Sequence, residues 1–392
     1  MNKILIVDDE IQILRSFRRL FLESNYEAYF ANNGLEALEI LENKQIDLII
    51  TDIRMPNMNG YELLEEVKKR HPKVLRMVIS GYTDGDRIYK ALENGLAKLY
   101  LLKPWENSTI IEILDKAFKV EEILKNKKIF ELINNIGNLP SIPKLYNEIN
   151  FLITKDSNID KIADIIEKDQ AIASRILRIS NSIYPKKEIG SVKQGIIYLG
   201  LSIVKNIVLT NSVFDNSRIN PYIQELLWTH SSMTNNIMLM IYEELLNKKL
   251  INAYKSAGLL HDIGWVVLLE NFKEKYTEII KNINENDDSN ISEVERRFFG
   301  CSHEEIGGYL LDWWELPYPI VESALFHNTP LDSRVINKEL VCIVHISSYY
   351  SWKLVNGDSF FKRKLNEDVF EFLGISLDRF EMLFDNLQKN TK

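Results

Sequence analysis

Three acidic positions and one basic position in the first third of the chain have the residue types of a phosphoryl-transfer site. Asp8 and Asp9 are adjacent, Asp52 stands alone, and Lys103 is followed by Pro104. Carboxylates that lie close together repel one another unless a hard divalent cation neutralises them. A magnesium ion held by acidic oxygens, next to an aspartate and a lysine, is suited to phosphoryl chemistry.

Short apolar runs precede these residues and predict the elements that position them. The runs cover residues 4–7, 48–51 and 99–102 and alternate with helical stretches. This pattern is typical of parallel strands in an α/β domain. Because the carboxyl ends of such strands form a binding crevice, we expect the charged residues to meet in one pocket. The alternative for a single strand-end aspartate is a helix cap or turn residue, which is how we interpret Asp47.

The order of these residues resembles the receiver domain of two-component response regulators over roughly residues 1–120. The residues that carry the resemblance are Asp8, Asp9, the segment Asp52-Ile53-Arg54-Met55-Pro56, Met58, Gly60, Ser80, Tyr100 and Lys103-Pro104-Trp105. The resemblance implies a flavodoxin-like α/β fold with a doubly wound, parallel, five-stranded sheet.

The resemblance also implies which residues bind the phosphoryl group and the metal. Asp52 would be the phosphoacceptor, supplied by a partner histidine kinase. Asp9, Asp52 and the backbone carbonyl of Arg54 would bind Mg²⁺ directly, and Asp8 would support the ion through water.

Three further residues would read the phosphorylation state. Lys103 would pair with the phosphoryl oxygens. Ser80 would move toward the phosphate, and Tyr100 would turn inward into the space it leaves. The peptide bond between Lys103 and Pro104 is expected to be cis, which proline permits at modest cost.

A connecting helix is expected over residues 107–135. Its apolar positions recur at three-four spacing, namely Ile110, Ile113, Ala117, Val120 and Leu124. Two heptads fall short of a coiled coil, so we expect at most a weak homodimer contact. Gly137 and Pro140 would break the helix.

Everything after about residue 130 has a helical pattern. Three sequence pairs predict capping boxes at helix starts, namely Ser157 with Asp160, Ser292 with Glu295, and Ser302 with Glu305. We expect an all-α domain over residues 130–350 and a C-terminal helical extension over residues 351–392.

This second region resembles an HDOD domain, a helical relative of the HD metal-dependent phosphohydrolases. The carrying segments are Leu139-Pro140-Ser141-Ile142-Pro143, Ile165-Ile166-Glu167-Lys168-Asp169, Leu177-Arg178-Ile179-Ser180-Asn181-Ser182, Ile196-Ile197-Tyr198-Leu199-Gly200, Leu260-His261-Asp262-Ile263-Gly264, His303 with Gly307, Trp314 and His327. The resemblance implies a non-catalytic output module that binds downstream signalling proteins.

The His-Asp doublet keeps an enzymatic alternative open. In active HD enzymes an upstream histidine, a His-Asp pair and a later aspartate bind a metal that activates water. His230, His261 and Asp262 match the first three ligands. The later aspartate place holds Ser348, and serine is a poor replacement for a carboxylate.

A two-metal phosphodiesterase would need further histidines. His303 and His327 lie near two of those places, so the five residues form a vestigial HD site. Asn328 stands where another histidine is expected, Trp265 replaces the usual lysine, and no Gly-Tyr-Pro signature follows. We therefore expect no second metal in this region and no catalysis.

Composition limits the remaining function classes. A formal net charge of −8 gives no support to nucleic-acid binding. No apolar run reaches the roughly 18 residues that span a bilayer, so membrane insertion is not expected. Two cysteines in 392 residues and a start without a signal peptide indicate a cytoplasmic protein.

The sequence thus predicts a phosphorelay response regulator in which Asp52 switches a partner-binding HDOD domain. The alternative is a metal-dependent phosphohydrolase or cyclic dinucleotide phosphodiesterase. A third reading, a DNA-binding regulator, would require a basic recognition helix, which we do not find.

Overall fold

The structure is a computed structural model that describes residues 1–81, 91–92, 95–135, 143–155, 157–184, 187, 189–215, 219–276, 278–279, 291–355 and 364–391. The expected helix breakers Gly137 and Pro140 and the first HDOD segment up to Ile142 lie outside these residues. The chain forms two compact units. We call them the sheet unit (Met1–Phe118 with Glu315–Tyr318) and the helical unit (Lys119–Trp314 with Pro319–Lys392).

The sheet unit contains the predicted five-stranded parallel sheet. Its strands are β1 (Lys3–Val7), β2 (Glu27–Ala31), β3 (Leu48–Asp52), β4 (Leu75–Gly81) and β5 (Leu99–Lys103). The strand order is β2-β1-β3-β4-β5, and every adjacent pair is parallel. All five residues of β3 are buried. Burial on both faces explains why this strand reads as a continuous apolar run before its terminal aspartate.

Helices connect the first four strands of the sheet unit, and a further helix follows the last strand. They are α1 (Ile11–Leu22), α2 (Gly34–Asn43), α3 (Gly60–Arg70) and α4 (Asn107–Leu124). A capping box between Asn59 and Glu62 fixes the start of α3. A Cβ atom on Gly60 would lie 2.1 Å from the backbone oxygen of Asp52. Glycine therefore allows α3 to begin directly against the loop that carries Asp52.

The expected connecting helix is interrupted. α4 ends at Leu124, and α5 covers Lys127–Asn135. The side chain of Asn126 accepts a hydrogen bond from Lys128 N at 3.0 Å, which starts a new helix. The expected apolar register also differs, because Leu114 is fully buried while Ile113 is only half-buried.

The helical unit has the all-α architecture expected from the sequence. After α5, its longer helices are α6 (Lys144–Thr154), α7 (Ile159–Ile166), α8 (Gln170–Ile183), α9 (Val192–Leu199), α10 (Leu201–Asp215), α11 (Pro221–Met240), α12 (Ala257–Leu260), α13 (Ile263–Asn271), α14 (Ile291–Phe299), α15 (His303–Trp313), α16 (Tyr318–Phe326), α17 (Lys338–Leu354), α18 (Asp368–Leu373) and α19 (Leu377–Thr391).

The boundary expected at residue 351 falls inside α17. The rings of Phe380 and Phe384 lie 4.6 and 4.8 Å from the ring of Tyr350 in edge-on contacts. Such contacts add to apolar burial and hold α19 against α17. Helix α19 thus packs against the preceding part of the helical unit, to which it belongs.

One of the three expected capping boxes is present. Ser302 and Glu305 form it at the start of α15. At α7 the capping side chain belongs to Asn158 instead of Ser157. Ser292 lies inside α14, and its expected partner Glu295 is fully buried. That carboxylate instead accepts hydrogen bonds from buried donors elsewhere in the core, as described below.

No single helix in the described part of the chain is long and apolar enough to cross a membrane. Two consecutive helical segments, Val192–Leu199 and Leu201–Asn211, are together long and apolar enough, but the chain bends by 116° between them.

Two glycines beside the His-Asp doublet allow close helix packing. A Cβ atom on Gly258 would lie 2.7 Å from the Cα of Asn235, and one on Gly264 would lie 1.9 Å from the backbone oxygen of His303. Both obstacles are backbone atoms that cannot move aside. Gly258 therefore lets α12 pack directly against α11, and Gly264 lets α13 pack directly against α15.

We expect Gly264→Ala to lower the free energy of unfolding by about 3 kcal/mol or more, because the added methyl group pushes α13 and α15 apart. Urea denaturation followed by far-ultraviolet circular dichroism measures this change. Gly190→Ala is the matched control, since no atom lies within 4 Å of its added Cβ. Equal stability of the two variants would contradict the packing role.

Candidate phosphoacceptor site and histidine cluster

The sheet unit brings the predicted charged residues together at the carboxyl ends of three strands. Lys103 Nζ lies 3.0 Å from Asp8 Oδ2 and 2.6 Å from Asp52 Oδ1. Both aspartates are buried, whereas Asp9 is exposed next to them. One ammonium therefore bridges two carboxylates from different strands, and charge-assisted contacts of this kind are among the stronger hydrogen bonds.

Backbone donors hold the opposite oxygens of both aspartates. Arg54 N donates to Asp52 Oδ2 at 2.6 Å, and Glu10 N donates to Asp8 Oδ1 at 2.8 Å. Each carboxylate is thus fixed from two sides. The orientation of Asp52 is set before any ligand arrives, which reduces the reorganisation that a reaction would require.

The crowding of charges in this pocket affects the pKa of Asp8 and of Lys103. Burial raises the pKa of Asp8, opposed by the Glu10 amide and Lys103, while the charge of Asp52 adds to the increase. Burial alone would lower the pKa of Lys103, but its bonds to Asp52 and Asp8 outweigh burial and raise it. A pocket of crowded carboxylate oxygens is a donor set that fits Mg²⁺.

Ser80 and Tyr100 lie on the neighbouring strands β4 and β5. Ser80 pairs in register with Leu102, immediately before Lys103. Ser80 is buried and Tyr100 is half-buried. The Lys103–Pro104 peptide bond is cis, as expected from the sequence.

The helical unit gathers the other five predicted site residues around one carboxylate. We call them the histidine cluster: His230, His261, Asp262, His303 and His327. The distances from Asp262 are 3.1 Å from Oδ2 to His230 Nε2, 3.1 Å from Oδ2 to His261 Nε2, 3.2 Å from Oδ1 to His327 Nε2 and 3.8 Å from Oδ1 to His303 Nε2. All four imidazoles are completely buried. Helices α11, α12, α15 and α16 supply one histidine each, within or directly after the helix.

The outward ring nitrogen of each histidine has its own partner. The contacts are His261 Nδ1 to Gly258 O at 2.8 Å, His303 Nδ1 to Glu295 Oε2 at 2.6 Å, His327 Nδ1 to Ala324 O at 3.0 Å, and His230 Nδ1 to Ser351 Oγ. Because carbonyl and carboxylate oxygens only accept, the Nδ1 atoms of His261, His303 and His327 carry the protons. Their Nε2 atoms consequently face Asp262.

Glu295 is a site residue that sequence reasoning assigned elsewhere. Its buried carboxylate accepts from Trp265 Nε1 at 2.9 Å, from Tyr276 Oη at 2.5 Å and from His303 N at 2.8 Å, in addition to His303 Nδ1. Burial alone would lower the pKa of His303, but the charge of Glu295, its hydrogen bond to the ring and the charges of Glu304 and Asp262 together outweigh burial and raise that pKa. Only the position of Glu295 in a helix with a buried face could have indicated this role.

Helix α17 closes the cluster with serines. Ser348 Oγ lies 3.1 Å from His261 Nε2 and 3.5 Å from His230 Nε2. This is the position that the sequence assigned to the missing aspartate, and the structure places Ser348 there. The indole of Trp352 stacks on His230 with ring centroids 3.9 Å apart.

Glu304, another acidic residue near the cluster, is used by other partners. It accepts from Asn328 Nδ2 and from Ser302 Oγ, both at 2.8 Å. Burial opposes ionisation of Glu304, but the nearby His303 and His327 together with the hydrogen bonds from Asn328 and Ser302 outweigh burial and lower its pKa. Asn328 thus anchors a carboxylate at the place where a two-metal enzyme would have a histidine.

We expect Glu295→Ala to lower the free energy of unfolding by about 3 kcal/mol or more, because it leaves the Trp265, Tyr276 and His303 donors buried without an acceptor. Urea denaturation measures the loss. Glu293→Ala is the matched control, since Glu293 is exposed on the same helix, and its change should stay within about 0.5 kcal/mol. A loss no greater than that of the control would contradict the role of Glu295.

Comparison with known proteins follows the division into two units. The response regulator receiver domain model matches residues 4–115, and the HDOD domain model matches residues 139–330. The transcriptional regulatory protein ZraR of Klebsiella oxytoca is 31% identical over 159 residues, which cover 40% of this chain and 36% of ZraR. The chain therefore spans about a third of the length of that curated relative.

Two solved structures resemble the larger part of the chain. An HDOD domain protein of unknown function from Geobacter sulfurreducens is 24% identical with a TM-score of 0.47, covering 68% of this chain and 99% of its own. A protein from Shewanella amazonensis with a proposed phosphohydrolase assignment is 18% identical with a TM-score of 0.50, covering 68% and 95%. The second likeness shows a shared fold alone. On these two matches, the chain contains an N-terminal response regulator receiver domain and a C-terminal HDOD domain.

Proposed function

We propose that the protein is a phosphorelay response regulator in which Asp52 accepts a phosphoryl group from a histidine kinase and thereby switches a non-catalytic, partner-binding HDOD domain. The observation that carries this proposal is the bridge from Lys103 Nζ to Asp8 and Asp52. It places a nucleophilic carboxylate, a second carboxylate and a cation within one pocket. The receiver relationship supports the same reaction.

The transfer requires little beyond positioning and charge stabilisation. A carboxylate oxygen of Asp52 attacks phosphorus and forms the O–P bond of an acyl phosphate, while the P–N bond to the kinase histidine breaks and its electron pair stays on the imidazole nitrogen. The backbone amide of Arg54 holds the other Asp52 oxygen at 2.6 Å, so the nucleophile is oriented. Lys103 stabilises the negative charge on the phosphoryl oxygens.

Mg²⁺ fits the acidic oxygens of this pocket. Asp8, Asp9, Asp52 and the backbone carbonyl of Arg54 would hold it. The ion would supply Lewis-acid stabilisation of the phosphoryl oxygens. Asp8 then serves by position and charge, while its Oδ1 stays fixed by the Glu10 amide.

Phosphorylation changes the partners of Lys103. In the unphosphorylated protein the ammonium neutralises the carboxylates of Asp8 and Asp52. A phosphoryl group on Asp52 adds negative charge and acceptor oxygens. Lys103 follows the new oxygens, and the strands that carry Ser80 and Tyr100 respond. We propose that this movement switches the surface next to β4 and β5 between two conformational states. The output domain would then respond to the difference between these states.

The geometry of the helical unit supports a binding role over hydrolysis. Ser348 occupies the place of the closing carboxylate, and a hydroxyl is a weak ligand for a catalytic metal. The four imidazoles have no exposed surface. A phosphoester substrate needs an open coordination position and a path to it, and the packed ring of Trp352 lies over His230.

We expect purified protein to incorporate acid-labile label from acetyl phosphate in the presence of Mg²⁺, and Asp52→Asn to incorporate none. The reason is that an amide cannot form the acyl phosphate. Intact-protein mass spectrometry measures the added phosphate. Asp47→Asn is the matched control, since this exposed aspartate precedes β3, at the opposite end of the strand from Asp52, and its side chain accepts from the Lys3 amide at 2.7 Å. Undiminished labelling of Asp52→Asn would refute the assignment.

We expect the full chain to show no turnover of cyclic dinucleotides or cyclic mononucleotides with Mn²⁺, Fe²⁺ or Mg²⁺. Product formation is measured by chromatography and compared with the double variant His261→Ala, Asp262→Ala. Metal-dependent turnover that the double variant loses, while its Asp52 labelling and helical content persist, would establish the phosphohydrolase alternative instead.

A further inference from the structure

We propose that the sheet unit binds a second copy of this chain, with the exposed face of α1 of one molecule seated in the groove between α2 and α3 of the other. The contact is head-to-tail, because it joins two different surfaces. This goes beyond the proposed response regulator function, since neither surface contains Asp8, Asp52 or Lys103.

The groove between α2 and α3 has apolar surface at its centre. Its volume is about 580 Å³, and its apolar lining residues are Leu35, Leu38 and Met58. Leu38 is buried and Met58 is half-buried, whereas Leu35 is 63% exposed beside them. An apolar centre surrounded by a polar rim is the usual anatomy of a protein–protein interface.

The rim of this groove is acidic. Its charged lining residues are Arg70 and five glutamates, namely Glu39, Glu42, Glu62, Glu65 and Glu66. Arg70 lies 3.4 Å from Glu42 and 2.7 Å from Glu66, so these two carboxylates have a cation of their own. In the described part of the chain, Glu39 and Glu65 form no ion pair, and both are exposed. The groove therefore favours a partner with exposed positive charge.

The exposed face of α1 has the complementary charge. Positions 11, 15, 18, 19 and 22 fall within about 100° of one another around a helix. They hold Ile11, Arg15, Arg18, Arg19 and Leu22. Ile11 is 58% and Leu22 is 82% exposed, and all three arginines are exposed. Among the described residues, no carboxylate forms an ion pair with these arginines.

The two surfaces also match in length. α1 has 12 residues, α2 has 10 and α3 has 11. At a rise of about 1.5 Å per residue these helices are about 18, 15 and 16 Å long. Helix α1 can therefore lie along the whole groove as a third helix, with an apolar residue at each end and its arginines next to the glutamates of the rim.

One molecule cannot make this contact with itself. α1 leads from β1 to β2, whereas α2 and α3 lead from β2 to β3 and on to β4, in the opposite direction across the sheet order β2-β1-β3-β4-β5. Because crossover connections between parallel strands are right-handed, α1 covers one face of the sheet and the groove lies on the other. Only another copy can bring α1 to the groove.

A head-to-tail contact leaves one free surface at each end of the assembly. A bound pair still has an unoccupied groove on one molecule and an unoccupied α1 on the other. Association therefore continues to larger species unless a ring closes. The groove finds its complementary pattern on this chain itself, which favours a second copy over an unrelated basic protein.

The test measures association of the full chain by sedimentation velocity over a series of concentrations, at about 10 mM and about 1 M salt. We expect species larger than the monomer at low salt and their loss at high salt, because salt screens the charges at the rim. The α1 variant carries Arg15→Gln with Arg19→Gln, and the groove variant carries Glu39→Gln with Glu65→Gln. Each alone should sediment as a monomer.

The groove variant separates local complementarity from bulk charge. The formal net charge of the chain is −8, and removal of two carboxylates makes it less negative. Bulk repulsion alone would therefore predict stronger association of this variant, whereas docking of α1 predicts that association is lost. Lys73→Gln with Glu371→Gln is the matched control, since both residues are exposed and lie on neither surface. It should associate like the unmodified chain.

A mixture of the two variants is the decisive measurement. Each supplies the surface that the other lacks, so the mixture should form a dimer of one molecule of each and nothing larger. Helical content and Asp52 labelling by acetyl phosphate should persist in both variants, so the docking proposal and the receiver proposal fail separately. An unmodified chain that stays monomeric in every condition, undiminished association of either variant, or a mixture that stays monomeric would overturn the docking.

Discussion

Both candidate sites depend on one constraint, which is that a buried carboxylate must meet compensating positive charge or several donors. Asp8 and Asp52 satisfy it with the single ammonium of Lys103 and one backbone amide each. Glu295 satisfies it with four donors from three side chains and a backbone amide. Asp262 lies within 3.2 Å of imidazole nitrogens of His230, His261 and His327. The buried carboxylates thus meet the same constraint with three different kinds of partner: one shared ammonium, several hydrogen-bond donors, or a group of imidazoles.

The receiver site could be predicted from the sequence because its geometry follows from topology. A residue at the end of a parallel strand is delivered to a known edge, so Asp8, Asp52 and Lys103 had to converge once the strands were identified. The break between α4 and α5 was not predicted. It depends on the side chain of Asn126, which accepts from the Lys128 amide and starts a new helix. A pattern of apolar residues gives no information about one capping residue of this kind.

The helical unit was harder to predict because its site residues are far apart in the chain. Packed helices, unlike paired strands, have no hydrogen-bonded register that fixes which residues meet. The five cluster residues were found through a family pattern. Glu295 was assigned to a capping box, since spacing alone cannot distinguish a cap from a buried acceptor three residues after a serine. From the sequence, Trp265 was interpreted as a departure from the metal-binding pattern of two-metal enzymes. In the structure its indole N–H donates to Glu295, the carboxylate that orients His303.

The same constraint underlies the switch that we propose for the receiver. Lys103 has one ammonium and three donors, and in the present arrangement it serves two aspartates within 3.0 Å. A phosphoryl group on Asp52 competes for that ammonium with greater charge and more oxygens, so the contact to Asp8 weakens as the new one forms. Because Asp8 is buried and its pKa is already raised, it cannot lose its partner without cost. A second cation beside Asp8 and Asp9 removes that cost, which is why metal binding and phosphorylation are expected to support each other at this site.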